Sequence, residues 1–387
     1  MNDKKERIFL DYASSTPLRD EVREVMLPYL GEKFGNPSSN HFFGRELKLA
    51  INEARDRIAD AMNCSHREII FVSGATEGDN WALNGLAGIG KGKGRHFIIS
   101  AIEHHAVMET AAYLEKEGFE CTRINPKSDG VIQMEDVKAA IRPDTTFISL
   151  MTVNNELGTL QPVRDVAILA REHGLMVHTD CAQGLSTQFI DLQDLPVDIL
   201  TATAHKIYGP IGSGFNFIRK GLKIEPFIRG GAHEYGLRAG TENVAGIIGL
   251  AKAVELTVNE RKKRIRQYNE LGIYLLDSLH REISGVELVG DREKRAPHIY
   301  YLRVPGIEAE DIIMGFDEAR IAVSTGSACT SGCSAPSHVL IALGFDSTNA
   351  YGYIRISFGI YTLREHIDIF IDALKKIIKE AVQGKPA

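Results

Sequence analysis

A chain of 387 residues can bury one large or two ordinary cores, and 44% hydrophobic with 25% charged residues is the balance of a soluble globular protein. A formal charge of −6 and a pI near 6.1 give no electrostatic reason to bind nucleic acid or an anionic membrane. No apolar run could span a bilayer, the N-terminal MNDKKERIFLDYAS lacks the apolar core of a secretion signal, and five scattered cysteines suit a reducing compartment, so a cytoplasmic location is expected.

In chain order, 8–10 reads as a short strand, 11–17 as a loop and 19–30 as a helix by its apolar spacing. FGNPSS (34–39) gathers Gly, Asn and Pro into an irregular loop, either functional or a plain connection. A helix follows from about 41 to 62, with Leu47, Ala50, Ile51, Ala54, Ile58 and Ala61 on one face.

A repeated strand–helix unit then begins. A strand at 68–72 runs into SGATE and a helix to about 86. HFIIS (96–100) runs into EHHAV and a helix to 116. Strand 119–124 precedes a short helix at 134–141, and TFISLM (146–151) precedes VNNELG and a helix at 163–173. Strand 175–179 ends at Asp180, and the apolar run after Val197 ends at His205-Lys206 before a Gly/Pro-rich turn. Such alternation predicts an α/β domain with a mostly parallel sheet. Ligands of such sheets bind beyond the carboxyl ends of the strands, where SGATE, EHH, NNE, DCAQ and HK all fall. The stretch 243–282 predicts one long helix or two. Strands at 299–304 and 353–358 and helices near 309–316 and 363–381 predict a smaller α+β domain.

Each strand-end group has a bland reading beside a chemical one. SGATE (73–77) can cradle a phosphate at a helix start, with Thr76 adding a hydroxyl, or be an ordinary N-cap with an acidic first turn. Asp180 can hold a ring nitrogen protonated or merely close a turn. His104 and His105 are structural or positioned against an aromatic ligand. Lys206 is a solvated terminus or a nucleophile. Arg355 alternates with Ile354 and Ile356 on a strand, and captures a carboxylate or lies exposed. Taken together, a nucleophilic lysine, a phosphate cradle, a strand-end aspartate and a strand-end histidine are the parts that pyridoxal phosphate requires. Neither GxGxxG before a helix nor GxxxxGK[ST] is present, which disfavours dinucleotide and P-loop sites. STGSACTSGCSAPS (324–337) is a small-residue loop with Cys329 and Cys333, whose C-x₃-C spacing matches neither zinc nor thioredoxin motifs.

FGNPSS, SGATE, EHHAV, VNNELG (153–158), HTDCAQ (178–183), AHKIYGP (204–210), GLRAGTENV (236–244), STGSACTSG (324–332) and IRISFG (354–359) together resemble the cysteine desulfurases of the NifS/IscS type, in the class V aminotransferase group. The resemblance spans nearly the whole chain and implies a fold type I pyridoxal-phosphate architecture. A large domain (15–258) with a mostly parallel seven-stranded-type sheet would be joined by a smaller α+β domain (1–14 and 259–387) carrying the cysteine loop. It implies Lys206 as the Schiff-base lysine, Asp180 at the pyridine nitrogen, Gln183 at the ring hydroxyl and His104 stacked on the ring. Ala75, Thr76, Thr203 and His205 would surround the phosphate, with Thr241 from a partner subunit. Asn155, also beside the cofactor, and Arg355 would hold the substrate carboxylate, and Cys329 would accept the sulfur. The implied reaction converts L-cysteine to L-alanine and a Cys329 persulfide for Fe–S assembly or thiolation. No resident metal is implied, Cys329 being at most a transient Fe–S ligand. The implied partners are a second copy of the chain and a sulfur-acceptor protein such as an Fe–S scaffold, with no nucleic acid or membrane. Selenocysteine lyase, cysteine sulfinate desulfinase and a class V aminotransferase are the alternatives on the same scaffold. The chain departs from the usual pattern in Asp11-Tyr12-Ala13-Ser14-Ser15-Thr16, in Thr203 where serine is common, and in Ile211 where lysine is common.

Overall fold

The computed structural model describes residues 7–326, 337–345 and 351–383. It opens with β1 (Ile8–Phe9), α1 (Asp20–Met26) and α2 (Phe42–Met62). The helix expected over 19–30 gives way after α1 to a 3₁₀ turn, Leu27–Leu30, where Pro28 has no N–H to continue the ladder. The alternating section comprises β2 (Ile69–Val72), α3 (Ala75–Gly90), β3 (His96–Ser100), α4 (His105–Lys116), β4 (Glu120–Ile124), α5 (Met134–Ala140), β5 (Thr145–Ser149), α6 (Val163–Glu172), β6 (Met176–Asp180), β7 (Ile199–Thr203) and β8 (Gly214–Ile218). After it come α7 (Val244–Glu282), β9 (Glu287–Val289), β10 (Ile299–Pro305), α8 (Ala309–Glu318), β11 (Ile321–Ala322), α9 (His338–Ala342), β12 (Tyr351–Ser357) and α10 (Arg364–Gln383).

Seven strands form the central sheet in the order β2-β8-β7-β6-β5-β3-β4. From β7 to β4 every neighbour is parallel, and β8 runs antiparallel to both β7 and β2. The alternation of side chains along each strand sorts the core into two layers. Ile69, Phe71, Ile98, Ile148, Val177 and Leu200 face the layer containing residues of α2, α6 and α7. Ile70, Val72, Phe97, Ile99, Phe147 and Ile199 face the layer containing α3 and α4, where the Phe97 and Phe147 rings stack with centroids 4.9 Å apart. A sheet covered on both faces has strands with few polar outward positions, and β2, β3, β5, β7 and β8 are buried along their whole length.

A separate core is built on the antiparallel sheet β12-β10-β9, covered by α8, α10 and the second half of α7. Ile8 and Leu10 belong to this core, because β1 pairs in parallel with β11. α7 is one unbroken helix of 39 residues, about 58 Å long at 1.5 Å per residue. Its first half packs Ile247, Leu250 and Val254 into the large core, and its second half packs Leu271, Leu275 and Leu279 into the small one. No helix among the described residues is long and apolar enough to cross a membrane.

The strand order changes direction at β3: β4 follows on one side, while β5 to β7 continue on the other. The segments leaving β3 and β5 therefore diverge and leave a crevice at their carboxyl ends. That crevice holds 101–105 and 150–158, the EHH and NNE stretches.

Candidate active site

The carboxyl ends of the parallel strands open onto a cavity of ≈ 540 Å³, a common size for a cofactor or small-ligand site. Ala75 and Thr76 reach it from the start of α3, His104 from β3, Asn155 from β5, and Asp180 and Gln183 from β6. Thr203, His205 and Lys206 reach it from β7, and Arg355 from β12 of the small core. Eleven of the twelve residues expected at the site lie among the described residues, and all but Thr241 line this cavity. Thr241 lines a neighbouring hollow with Arg238 and Glu242. Cys329 and Cys333 lie outside the described residues.

Lys206 leaves β7 on a single 3₁₀ turn, Ala204–Lys206. The next turn needs Tyr208 in left-handed backbone (φ 68°), a costly conformation for a residue with a side chain. It is held there from both ends: the Tyr208 N–H donates to Thr16 Oγ1 at 2.6 Å, and its hydroxyl accepts the Ile360 N–H at 2.8 Å. Lys206 Nζ donates to the carbonyls of Ala13 (2.6 Å) and Ser14 (2.7 Å). The same Ala13 carbonyl accepts from Gln183 Nε2 at 2.7 Å, and Asp11 Oδ1 accepts from Arg355 Nη2 at 2.8 Å. The 11–16 segment, where the chain departs from the usual family pattern, is thus the strap that ties Lys206, Gln183 and Arg355 together.

Arg355 is only 2% exposed, which removes the exposed-strand reading of this residue. Its Nη1 donates to the carbonyls of Asn155 (2.8 Å) and Gly326 (3.3 Å), and its buried Nε has no partner among the described residues. The guanidinium is therefore fixed in direction with donor capacity left over, which suits capture of a carboxylate.

Three buried acids stand behind the cavity. Asp180 accepts the Ala182 N–H at 2.8 Å; burial pushes its pKa up, while His104, that N–H and Lys206 pull it down. Glu103 is wholly buried, accepting from Ser100 Oγ (2.6 Å) and Met151 N–H (2.9 Å), and burial pushes its pKa up to about 8. Asp79 is also wholly buried, 3.4 Å from His178 Nε2, and burial with the Asp180 charge raises its pKa well above the carboxylate range. Burial holds His178 down at about 3, so this is a contact of neutral groups rather than an ion pair. His205 is pushed down to about 4 by burial and the Lys206 charge. His104 Nδ1 caps α4 by accepting the Ala106 N–H at 3.1 Å, and burial lowers its pKa as well. Both shifts favour the uncharged imidazole at neutral pH for His104 and His205, two of the four histidines that line the cavity.

Asp11, Asp79, Glu103 and Glu156 were not singled out from the sequence. Glu103 and Glu156 lie inside EHHAV and VNNELG, Asp79 lies two residues past SGATE, and Asp11 opens the segment that departs from the usual pattern, which is the signal the sequence offered. Cys181, flagged in DCAQ, is buried with its thiol pushed up to about 12, and stays an unreactive thiol.

The cavity suits pyridoxal phosphate on its own geometry. A Cβ built on Gly74 would meet only Thr203 Oγ1, at 3.7 Å, so the approach to the first amides of α3 is open where a phosphate would sit. Asp180 lies in the same cavity wall, and among the described residues the only lysine on that wall is Lys206.

The family model described as Aminotransferase class-V matches residues 8–370. A cysteine desulfurase IscS of Dictyoglomus turgidum is 46% identical over 376 residues, which cover 97% of this chain and 95% of that protein. The solved structure of a NifS-like protein superposes with a TM-score of 0.91 at 35% identity, covering 97% of this chain and all of that one. SspA, solved in complex with cysteine, gives 0.78 at 34% identity over 92% of this chain and all of its own.

Proposed function

The chain belongs to the class-V aminotransferase family, and from that premise we propose that it is a cysteine desulfurase, taking sulfur from L-cysteine onto Cys329 and releasing L-alanine with pyridoxal phosphate as cofactor. The observation that carries this reading is a lysine, a buried aspartate, an open helix start and a fixed arginine around one cavity, which Gly326 at the root of the Cys329 loop also lines.

Bound pyridoxal phosphate withdraws electrons from the bonds at a substrate Cα. Ala75, Thr76, Thr203 and His205 would hold its phosphate, joined by Thr241 of a second copy. Asp180 would keep a proton on the ring nitrogen, His104 would lie against the ring, Gln183 would meet the ring hydroxyl and Asn155 would lie beside it. Placing a protonated nitrogen beside Asp180 supplies the positive partner that offsets the burial of its carboxylate.

Asn155 and Arg355 hold the carboxylate of the incoming cysteine. Asp11 already occupies one face of the guanidinium, so the substrate shares or displaces that contact. The Lys206 amine carries the Cα proton. The Cys329 thiolate then bonds to the cysteine sulfur as the Cβ–S bond breaks. The bond pair and one proton stay with carbon, which gives alanine, and Cys329 retains the extra sulfur as a persulfide. Neither oxidant nor reductant is consumed.

Residues 15–258 act as the cofactor-binding domain, and 1–14 with 259–387 as the domain that carries the cysteine loop. The working unit is a homodimer in the cytoplasm that hands its sulfur to an acceptor protein such as an Fe–S scaffold. Two features support the dimer: Thr241 lies off the cavity of its own chain, and Leu30, Phe34, Phe42 and Ile211 are each more than half exposed. The test is alanine formation from cysteine, selenocysteine and cysteine sulfinate. Cysteine is expected to be turned over by the wild-type protein and not by Cys329→Ser, which keeps its cofactor absorbance. Undiminished alanine release by that variant overturns the assignment of Cys329.

A further inference from the structure

The turn that carries Lys206 is fastened on both sides to one residue of the 11–16 strap. Before the lysine, the His205 carbonyl accepts the Thr16 N–H at 2.8 Å and the Thr16 hydroxyl at 2.9 Å. After it, the Tyr208 N–H donates to Thr16 Oγ1 at 2.6 Å. One hydroxyl thus donates to the peptide that enters Lys206 and accepts from the peptide that enters Tyr208. Tyr208 is the residue in left-handed backbone, so the second bond falls where the turn is strained. Pro17 disfavours helical backbone at Thr16, which stiffens the clamp from the strap's own side.

The other end of the strap is tied to the small core. Ala13 N–H donates to Ser357 Oγ at 2.8 Å, on β12 two residues past Arg355, and the Ser357 N–H donates to the Leu10 carbonyl at 2.8 Å. Ser14 folds back on Asp11, whose carbonyl accepts the Ser14 N–H at 3.0 Å and the Ser14 hydroxyl at 2.7 Å. Ala13 and Ser357 are both buried. With its two ends fixed in this way, the strap holds the Ala13 and Ser14 carbonyls as a pair, and Lys206 Nζ donates to both, at 2.6 and 2.7 Å.

We propose that Thr16 is a positioning residue for Lys206, and that the Ala13 and Ser14 carbonyls seat its amino group through the part of the cycle in which that nitrogen is not bonded to the cofactor. This rests on the pyridoxal-phosphate desulfurase reading above. A lysine nitrogen hangs on four flexible carbons, so a proton acceptor made from it needs its base fixed and its tip held. Thr16 fixes the base, and the two carbonyls hold the tip. A neutral amine can give its two N–H groups to two carbonyls, and its one lone pair is what takes the proton from a substrate Cα. The ammonium so formed keeps the same two bonds, and the proton is taken up and given back with Lys206 still at the cavity wall. Ser357 steadies this seat from the small core, as Thr16 does from the large one.

The assignment predicts a defect in the steps that Lys206 performs, with substrate binding spared. Thr16→Val keeps the size of the side chain and loses the hydroxyl. In the holoenzyme of this variant, exchange of the Cα hydrogen of L-alanine with solvent deuterium, a step that needs Lys206 and no thiol, falls by about tenfold or more. Alanine formation at saturating cysteine falls with it, while KM for cysteine stays within about twofold. Thr16→Ser, which keeps both hydroxyl bonds, stays within about twofold of the wild-type rates. A further readout needs no turnover. Cofactor-stripped Thr16→Val takes up added pyridoxal phosphate onto Lys206 about tenfold more slowly than stripped wild type, counted as cofactor that borohydride fixes to the peptide bearing Lys206. Ser357→Ala loosens the seat from its other end and gives the same exchange defect, so the assignment stays testable even if Thr16→Val fails to fold. Exchange at the wild-type rate in Thr16→Val or in Ser357→Ala overturns the assignment, as does Thr16→Ser that is as slow as Thr16→Val. Wild-type protein in which borohydride fixes no cofactor to Lys206 overturns the cofactor reading instead, and the two failures are thereby distinguished.

Discussion

Glu103 shows what burial does to a single residue at this site. Wholly buried, it holds its proton up to about 8 against an ordinary 4.5. A group with a raised folded pKa stabilises the fold fully below the unfolded value, and that contribution is lost as pH climbs to the folded one. Between about pH 4.5 and pH 8 the wild-type protein therefore loses stability that Glu103→Gln does not. Melting temperatures of the two proteins are expected to diverge in favour of the variant from pH 5 to about pH 8, within that window. A difference that stays flat across it shows that Glu103 is ionised in the fold. The places of Lys206 and Asp180 were legible from the sequence because each ends an apolar run that must be a buried strand, but the roles expected of them came from the whole set of strand-end groups and from the resemblance, not from position alone. Asp79 and Glu103 were not, because their character comes from the low-polarity surroundings that folding builds and no spacing encodes. Arg355 fell between the two: alternation gave its face, but only the Asp11 contact and its burial decided against exposure.

At the scale of elements, the 228–243 segment is anchored by the buried Arg55–Glu234 ion pair and by the partly buried Arg238–Glu77 pair. Arg55 on α2 meets Glu234 with two bonds, 2.7 and 2.6 Å, and Glu234 also accepts the Phe71 N–H of β2 at 2.8 Å. Glu234 and Tyr235 both take positive φ, 45° and 60°, so the turn is strained and needs that anchor. Breaking one partner of such a pair leaves an uncompensated buried charge, and Glu234→Ala is expected to lower the unfolding free energy by about 3–5 kcal/mol in urea titration. A loss under about 1 kcal/mol, the range of a surface pair, contradicts this. Most of the alternating strands and helices were readable within a residue or two, because their apolar runs have lengths and periods that only one element satisfies; α3 is the exception, running to Gly90, four residues past the expected end. β8 was hidden: GFNFI follows directly on a glycine- and proline-rich turn, and its antiparallel pairing with β7 and β2 is a property of the sheet rather than of the segment. The single long α7 was left open between one helix and two because its apolar face changes partners midway, from the large core to the small one.

The whole molecule is two cores joined by α7 and by the strap at 11–16, with the cavity where they meet. Residues from β12 and from the first loop of the chain enter a site otherwise built on the large sheet, so long-range order, not local pattern, completes it. The apolar surface at Leu30, Phe34 and Phe42 is expected to be covered by a second copy. Leu30→Asp with Phe42→Asp should shift sedimentation from dimer toward monomer and weaken cofactor retention through loss of the partner's Thr241. A wild-type protein that sediments as a monomer at working concentration contradicts the shared site. The central claim is that sulfur passes through Cys329. The most direct measurement treats the holoenzyme with L-cysteine, alkylates it without reductant and locates the added sulfur by peptide mass spectrometry. One extra sulfur on the peptide bearing Cys329, in step with alanine released, is the predicted result. Alanine release with no sulfur on Cys329, or with the sulfur on Cys333 alone, contradicts it.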